Sequence, residues 1–259
     1  MRYSLITLLK LWGVAAILPL WAQEHSVTSH DAIIRGDTTR AEIALIFTGG
    51  DYNDGGPAIL RTLSEKKVKA GFFFTGDFYR DQENRALVEE LKSQGHYLGP
   101  HSDKHLLYCS WEDRDSLLVT KKQFTNDILA NYATMDSLFG IDKTESPYFI
   151  PPYEWYNDSI AAWSEDIGLT LFNHSPGTIS HADYTTPEMQ NYRTSDEIWK
   201  SITEYEQRSS NGMNGFFLLI HIGTHPDRTD KFYHRVGELI TYLHKQGYSF
   251  IRIDNLLSK

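Results

Sequence analysis

The 259-residue chain is 41% apolar and 23% charged, an ordinary globular balance that excludes disordered, collagen-like and disulfide-scaffold proteins. Its 34 acidic against 25 basic residues give a formal charge of −9, which argues against a nucleic-acid or anionic-membrane surface. The single cysteine, Cys109, rules out an intrachain disulfide, while 15 Tyr and 6 Trp leave an aromatic excess to be accounted for.

Residues 1–23 start with a basic Arg2, run apolar over 11–20 and offer the small Ala22 for cleavage, the layout of an export signal. Lys10 interrupts the apolar stretch and argues against a spanning helix. No cysteine stands near the cleavage point to carry a lipid anchor. Residues 1–22 therefore read as a signal peptide and 23–40 as an N-terminal extension. Cleavage removes Arg2 and Lys10 and no acid, leaving 237 residues at −11. The expected location is the periplasm or the outside, with no stable membrane insertion after cleavage.

From Ala41 onward, short apolar runs alternate with amphipathic stretches. The runs cover 41–47, 70–74, 97–98, 148–150, 169–172, 215–222 and 249–253. Runs that lack polar alternation suit strands of a parallel sheet buried on both faces. Helical spacing appears over 58–66, 85–94, 116–139, 159–166, 196–207 and 231–246. Asp115, Asp158, Ser195 and Asp230 read as N-caps, and Gly95, Gly140, Gly168 and Gly247 as C-caps. Seven β-runs with helical crossovers and no Pro/Ser-rich linker predict one α/β domain over 41–259, a barrel or an open sheet. In such folds the working loops follow the carboxyl ends of strands, here 48–56, 75–81, 99–111, 151–157, 173–183 and 223–228.

Those loops carry the chemistry. In 48–56, Asp51 and Asp54 lie among glycines, in a loop that lacks both phosphate-binding spacings and has too few oxygens for calcium. They offer a metal ligand and a base. His101 and His105 sit four apart in His-Ser-Asp-Lys-His, a spacing that places both imidazoles on one face of a helical turn. Neutral imidazole suits zinc first, with cobalt or nickel as alternatives, and an open catalytic site needs three protein ligands. Pro151 and Pro152 fix the backbone that presents Tyr153, Glu154, Trp155 and Tyr156, which with Trp111 read as a platform for a sugar ring. His221, ending an apolar run at the same rim, reads as a general acid or base.

Together these motifs resemble the polysaccharide deacetylases of carbohydrate esterase family 4, the NodB-homology group, over nearly the whole mature chain. His101-Ser102-x-x-His105 is similar to the family's H-[ST]-x-x-H metal motif, and Leu219-x-His221 to its final L-x-H motif. The resemblance implies a distorted (β/α)7-type barrel in a single domain, a divalent transition metal, and an acetylated polysaccharide or oligosaccharide as partner. It also implies an oxyanion donor at the Tyr153 N–H and Pro152 beside the substrate. Three departures stand out. Phe47-Thr48-Gly49-Gly50 replaces T-F-D-D-G, Ile150 replaces the arginine of R-P-P-Y, and no Asp-Trp element is recognisable near 173–177. Base, tethering arginine and supporting acid are thus expected to be missing together. The expectation is relocation, with Asp51 as base, Asp54 completing the metal set of His101 and His105, and His221 as acid. A non-catalytic glycan-binding protein on the same scaffold is the alternative.

Overall fold

The described chain, residues 26–258 of a computed structural model, opens with an antiparallel hairpin of β1 (Val27–Ser29) and β2 (Ala32–Arg35) and then alternates strand and helix. The signal peptide read from residues 1–22 lies outside the described residues. The strands that follow are β3 (Glu42–Gly49), β4 (Gly71–Phe74), β5 (Tyr97–Pro100), β6 (Tyr148–Phe149), β7 (Thr170–Leu171), β8 (Phe216–His221) and β9 (Ser249–Phe250). Between them run the helices α1 (Gly56–Lys66), α2 (Gly76–Arg80), α3 (Arg85–Ser93), α4 (Lys121–Phe139), α5 (Asp158–Asp166), α6 (Ser195–Arg208) and α7 (Val236–Lys245), with α8 (Ile253–Leu257) at the end.

Strands β5-β4-β3-β8 form a parallel sheet in that order, with β9 pairing the start of β3. Strands β6 and β7 are a second parallel pair. Hydrogen bonds complete the ring. Tyr148 N–H donates to the Tyr97 hydroxyl and Ser146 Oγ–H to Leu98 O, joining β5 to β6. Asn173 N–H donates to Ile33 O at 2.8 Å, joining the end of β7 to β2. Gly36 N–H reaches Gly215 O at 2.8 Å, joining β2 to the start of β8. The result is the expected NodB-type barrel, with one difference. The strand between β7 and β8 comes from the segment that reads as an extension. β2 is too short, and too mixed in polarity outside Ala32–Ile34, to be distinguished from a loop by pattern.

Continuous hydrophobicity in the long runs has a simple cause. Ile43, Leu45 and Phe47 of β3 pack with Phe216, Leu218 and Ile220 of β8 in the cluster under the helices. Their alternates Ala44, Ile46, Phe217 and Leu219 join Phe73, Phe172 and Ile253 in a second cluster. Every position faces apolar neighbours, so no period of two is visible.

Helix starts differ from the expected caps by one residue or more. Thr120 and Thr194 form capping boxes with Gln123 and Glu197, and Asn157 caps α5 through Ile160 N–H. In each case the residue in extended conformation just before the helix reaches the third helical N–H. Asp115 lies in the irregular segment before α4. Asp230 accepts from Ser195 N–H at 2.6 Å and caps nothing in α7. The last run is strand only over Ser249–Phe250, because Ile253, Leu256 and Leu257 turn into the second cluster as α8.

Candidate active site

His101 follows directly on β5 and is 3% exposed. Its backbone N–H is shared by Phe74 O and Asn131 Oδ1, and its Nδ1–H points at Ile150 O at 2.9 Å. That bond fixes the tautomer and leaves Nε2 with its lone pair. The next residues do not form the helical turn expected from their spacing. Ser102 (φ 71°) and His105 (φ 53°) are left-handed, and Asp127 clamps the loop by accepting from Ser102 Oγ–H at 2.6 Å and Lys104 N–H at 3.0 Å. This tight turn, rather than a helix face, brings His105 Nε2 to 3.2 Å from His101 Nε2. Nitrogens so spaced both meet one ion at the usual Zn–N distance of about 2.0–2.1 Å, at a near-tetrahedral angle. Burial, reinforced by His105, holds His101 well below the ordinary imidazole range. Burial, with His221, lowers His105 to about 4. Both rings are neutral at neutral pH, the form that binds a cation.

The structure corrects the reading of Asp54 as third ligand. Its Oδ1 accepts from Thr224 N–H at 2.8 Å, and its Oδ2 accepts from the Tyr233 hydroxyl at 2.8 Å and pairs with Lys231 Nζ at 3.0 Å. Both oxygens are committed to tying the loop after β3 to the loop after β8. Among the described residues no three His, Cys, Asp or Glu side chains converge to hold an ion. The donor set is the imidazole pair, with the exposed Asp51 near enough for its charge to act on His105. Nor can a carboxylate stand at Gly49, where a Cβ would come within 2.6 Å of Ile222 Cγ2 and 2.9 Å of Phe74. Thr48, in register with His221, keeps a buried hydroxyl with no partner.

His221 has the supporting acid that the sequence reading finds missing. Asp183, fully buried in a 3-10 turn (Ser180–Tyr184), takes the His221 N–H on Oδ2 at 2.9 Å and Nδ1 on Oδ1 at 2.6 Å. Burial works against the imidazolium, but the Asp183 charge and hydrogen bond outweigh it and raise His221 above its ordinary value. Glu154 faces the same histidine. Burial pushes its carboxyl up to about 7, with His221 opposing and Asp183 adding to the rise.

Tyr153 (φ 59°) and Glu154 (φ 52°) are consecutive left-handed residues after the buried Pro152, so the turn swings the Tyr153 ring over His105 at 4.3 Å. Trp111, 57% exposed, meets Tyr153 edge-on at 5.7 Å and tilts over Trp155 at 5.3 Å. Tyr184, 41% exposed, lies 5.2 Å from His221. Aromatic side chains thus rim the mouth beside the histidines. Tyr156 is buried and donates to Ser29 O, so it supports the platform instead of presenting a face. A cleft of about 320 Å³ runs outward from Tyr153 and Glu154, past Trp155, to His174 and His181.

Residues 35–172, more than half of the chain, match the polysaccharide deacetylase family. Over 232 residues the chain is 23% identical to the peptidoglycan-N-acetylmuramic acid deacetylase PdaA of Bacillus subtilis, covering 89% of this chain and 77% of the relative. Over 219 residues it is 26% identical to a peptidoglycan-N-acetylglucosamine deacetylase of Bacillus cereus, covering 83% and 87%. The fold is also that of a carbohydrate esterase family 4 pseudoenzyme from Bacillus anthracis, with a TM-score of 0.68 at 18% identity over 89% of this chain and 70% of that one. A mutant of that protein with restored enzymatic activity gives a TM-score of 0.68 at 18% identity over 89% of this chain and 72% of that one. The chain belongs to the polysaccharide deacetylase family, carbohydrate esterase family 4.

Proposed function

We propose that the protein is an exported, metal-dependent deacetylase that hydrolyses the acetyl group of an N-acetylated sugar in a polysaccharide such as peptidoglycan. The observation that carries this reading is the meeting, at one barrel mouth, of two neutral imidazoles with Nε2 atoms 3.2 Å apart and a histidine bonded to a buried aspartate. His101 and His105 would hold the cation, zinc or a similar transition ion, whose role when bound is to polarise the acetyl carbonyl.

The remaining steps belong to the chain. Asp51, on the His105 side, accepts the proton of the water that attacks the carbonyl. The Tyr153 N–H donates to the oxygen as it gains charge, a contact typically worth a few kcal/mol. As the C–N bond breaks, His221 gives its proton to the departing amine and acetate leaves. Glu154, close to half-protonated near neutrality, faces His221 and is placed to resupply that proton. Tyr153, Trp111 and Trp155 stack on the sugar.

One observation favours the alternative of a glycan-binding protein without turnover. The positions of the family's two first-motif carboxylates are held by Thr48 and Gly49, and Gly49 has no room for a side chain. Metal titration of the purified protein tests the site itself. About one equivalent of zinc or cobalt is expected, with the stoichiometric step lost in a His101→Ala/His105→Ala variant. Unchanged stoichiometry in that variant would contradict the assignment.

A further inference from the structure

Arg114 stands at the outer part of the cleft, its Cζ 3.6 Å from the centre of the Trp155 ring. Among the described residues no carboxylate or carbonyl accepts a hydrogen bond from its guanidinium, although its own carbonyl is bound by Asn157 Nδ2–H at 2.8 Å. The backbone is therefore anchored and the charged group is not. A guanidinium held over an indole face keeps its N–H donors available, in the fork that matches a carboxylate. In the same cleft, the rings of His174 and His181 lie tilted against each other at 4.4 Å, and His181 Nδ1 is buried without a partner. Glu154 lies at the inner end, under the charges of His221 and Asp183, whereas the charge of Arg114 acts on Tyr156 and Cys109. In a chain carrying −9, an unpaired arginine in a sugar-sized cleft is a local exception.

We infer that the cleft is a subsite for a carboxylate-bearing sugar, with Arg114 pairing the carboxylate and the His174–His181 pair meeting its hydroxyls. The inference rests on the glycan reading above and deepens it by naming the class of glycan. One fixed positive charge matches a single carboxylate better than a phosphate diester network. The carboxylate has two sources, a lactyl ether or a uronic acid, and the probes separate them.

Calorimetric titration of the mature protein is the test, with four tetrasaccharides as probes. These are a neutral N-acetylglucosamine oligomer, an alternating N-acetylglucosamine/N-acetylmuramic acid oligomer, the same oligomer with its carboxyls amidated, and an alternating N-acetylglucosamine/glucuronic acid oligomer. At least one acidic probe is expected to bind about tenfold tighter than its uncharged counterpart. That preference should weaken in about 0.5 M salt. In Arg114→Met the preference should collapse to within about twofold of unity, since the carboxylate then has no fixed charge to pair with. Equal binding of acidic and uncharged probes by the wild type overturns the inference, as does a preference that survives Arg114→Met with an unchanged circular dichroism spectrum. Should that variant fail to fold, Arg114→Lys keeps the charge and loses the flat stack, and an undiminished preference there contradicts the assignment. Acetate is not the readout. A chain that prefers acidic glycans but never releases acetate ends the proposed activity and leaves this inference standing.

Discussion

In the proposed reaction, Asp183 is the residue on which proton delivery turns. By taking the His221 N–H and Nδ1 it leaves Nε2 unbound by Asp183 and holds the proton on the ring to higher pH. A histidine raised in the folded state contributes stability fully below its unfolded value near 6.5, and loses it as pH rises through the folded value. Asp183→Asn removes the charge and keeps the shape. Acetate release is expected to fall about 100-fold, and the alkaline limb of the pH–rate profile to move to lower pH, because the acid form of His221 is depleted earlier. A profile with an unshifted limb would remove Asp183 from this role. At this scale the sequence was readable where spacing or position carries the signal, as for His101, His105 and His221. Asp183 lacked any such signal. It pairs with a histidine 38 positions away, inside a stretch without periodicity where it and Glu188 are the two acids of residues 174–194. Asp54 misled for the same reason, since nothing local shows that Lys231, Tyr233 and Thr224 will occupy it.

The loop after β5 shows how an element converts strain into a site. Two non-glycine residues, Ser102 and His105, are held left-handed, each at a cost of order 1 kcal/mol or more. Asp127 on α4 offsets that cost by accepting from Ser102, Lys104 and the Tyr108 hydroxyl, the last at 2.6 Å. Asp127→Ala leaves the buried Ser102 and Tyr108 hydroxyls without a partner, for about 1–3 kcal/mol each at most. We expect the thermal midpoint to drop by several degrees and metal affinity to fall about tenfold or more, read by calorimetry and titration. Metal affinity equal to that of the wild type would mean that the turn holds itself. The i,i+4 spacing signalled the pair correctly and the conformation wrongly, because a helical turn and a clamped loop can both bring residues four apart together.

Across the whole molecule, the alternation of apolar runs and helices was enough to read one α/β domain with a parallel sheet, a barrel or an open sheet, and both strand faces are indeed buried. The closed barrel was what the family resemblance implied. What it did not show is that residues before Ala41 complete the ring. Arg35 donates to the carbonyls of Asn214 and Gly212 at 2.7 Å each and to the Tyr205 hydroxyl at 2.8 Å, locking β2 to the turn before β8. A chain beginning at Ala41 is therefore expected to unfold at a lower temperature than one beginning at Ser26, and an equal midpoint would mean that β2 is dispensable. Among the described residues no helix is long and apolar enough to cross a membrane. The barrel mouth carries the imidazole pair, the aspartate-bonded histidine and a rim of aromatic faces beside them. Acetate release from an alternating N-acetylglucosamine/N-acetylmuramic acid oligosaccharide, by protein stripped with chelator and reloaded with zinc or cobalt, tests that arrangement most directly. The account predicts release that chelation abolishes, metal restores and Asp51→Asn lowers about 100-fold or more. Glycan binding with no acetate released from the reloaded protein would contradict it.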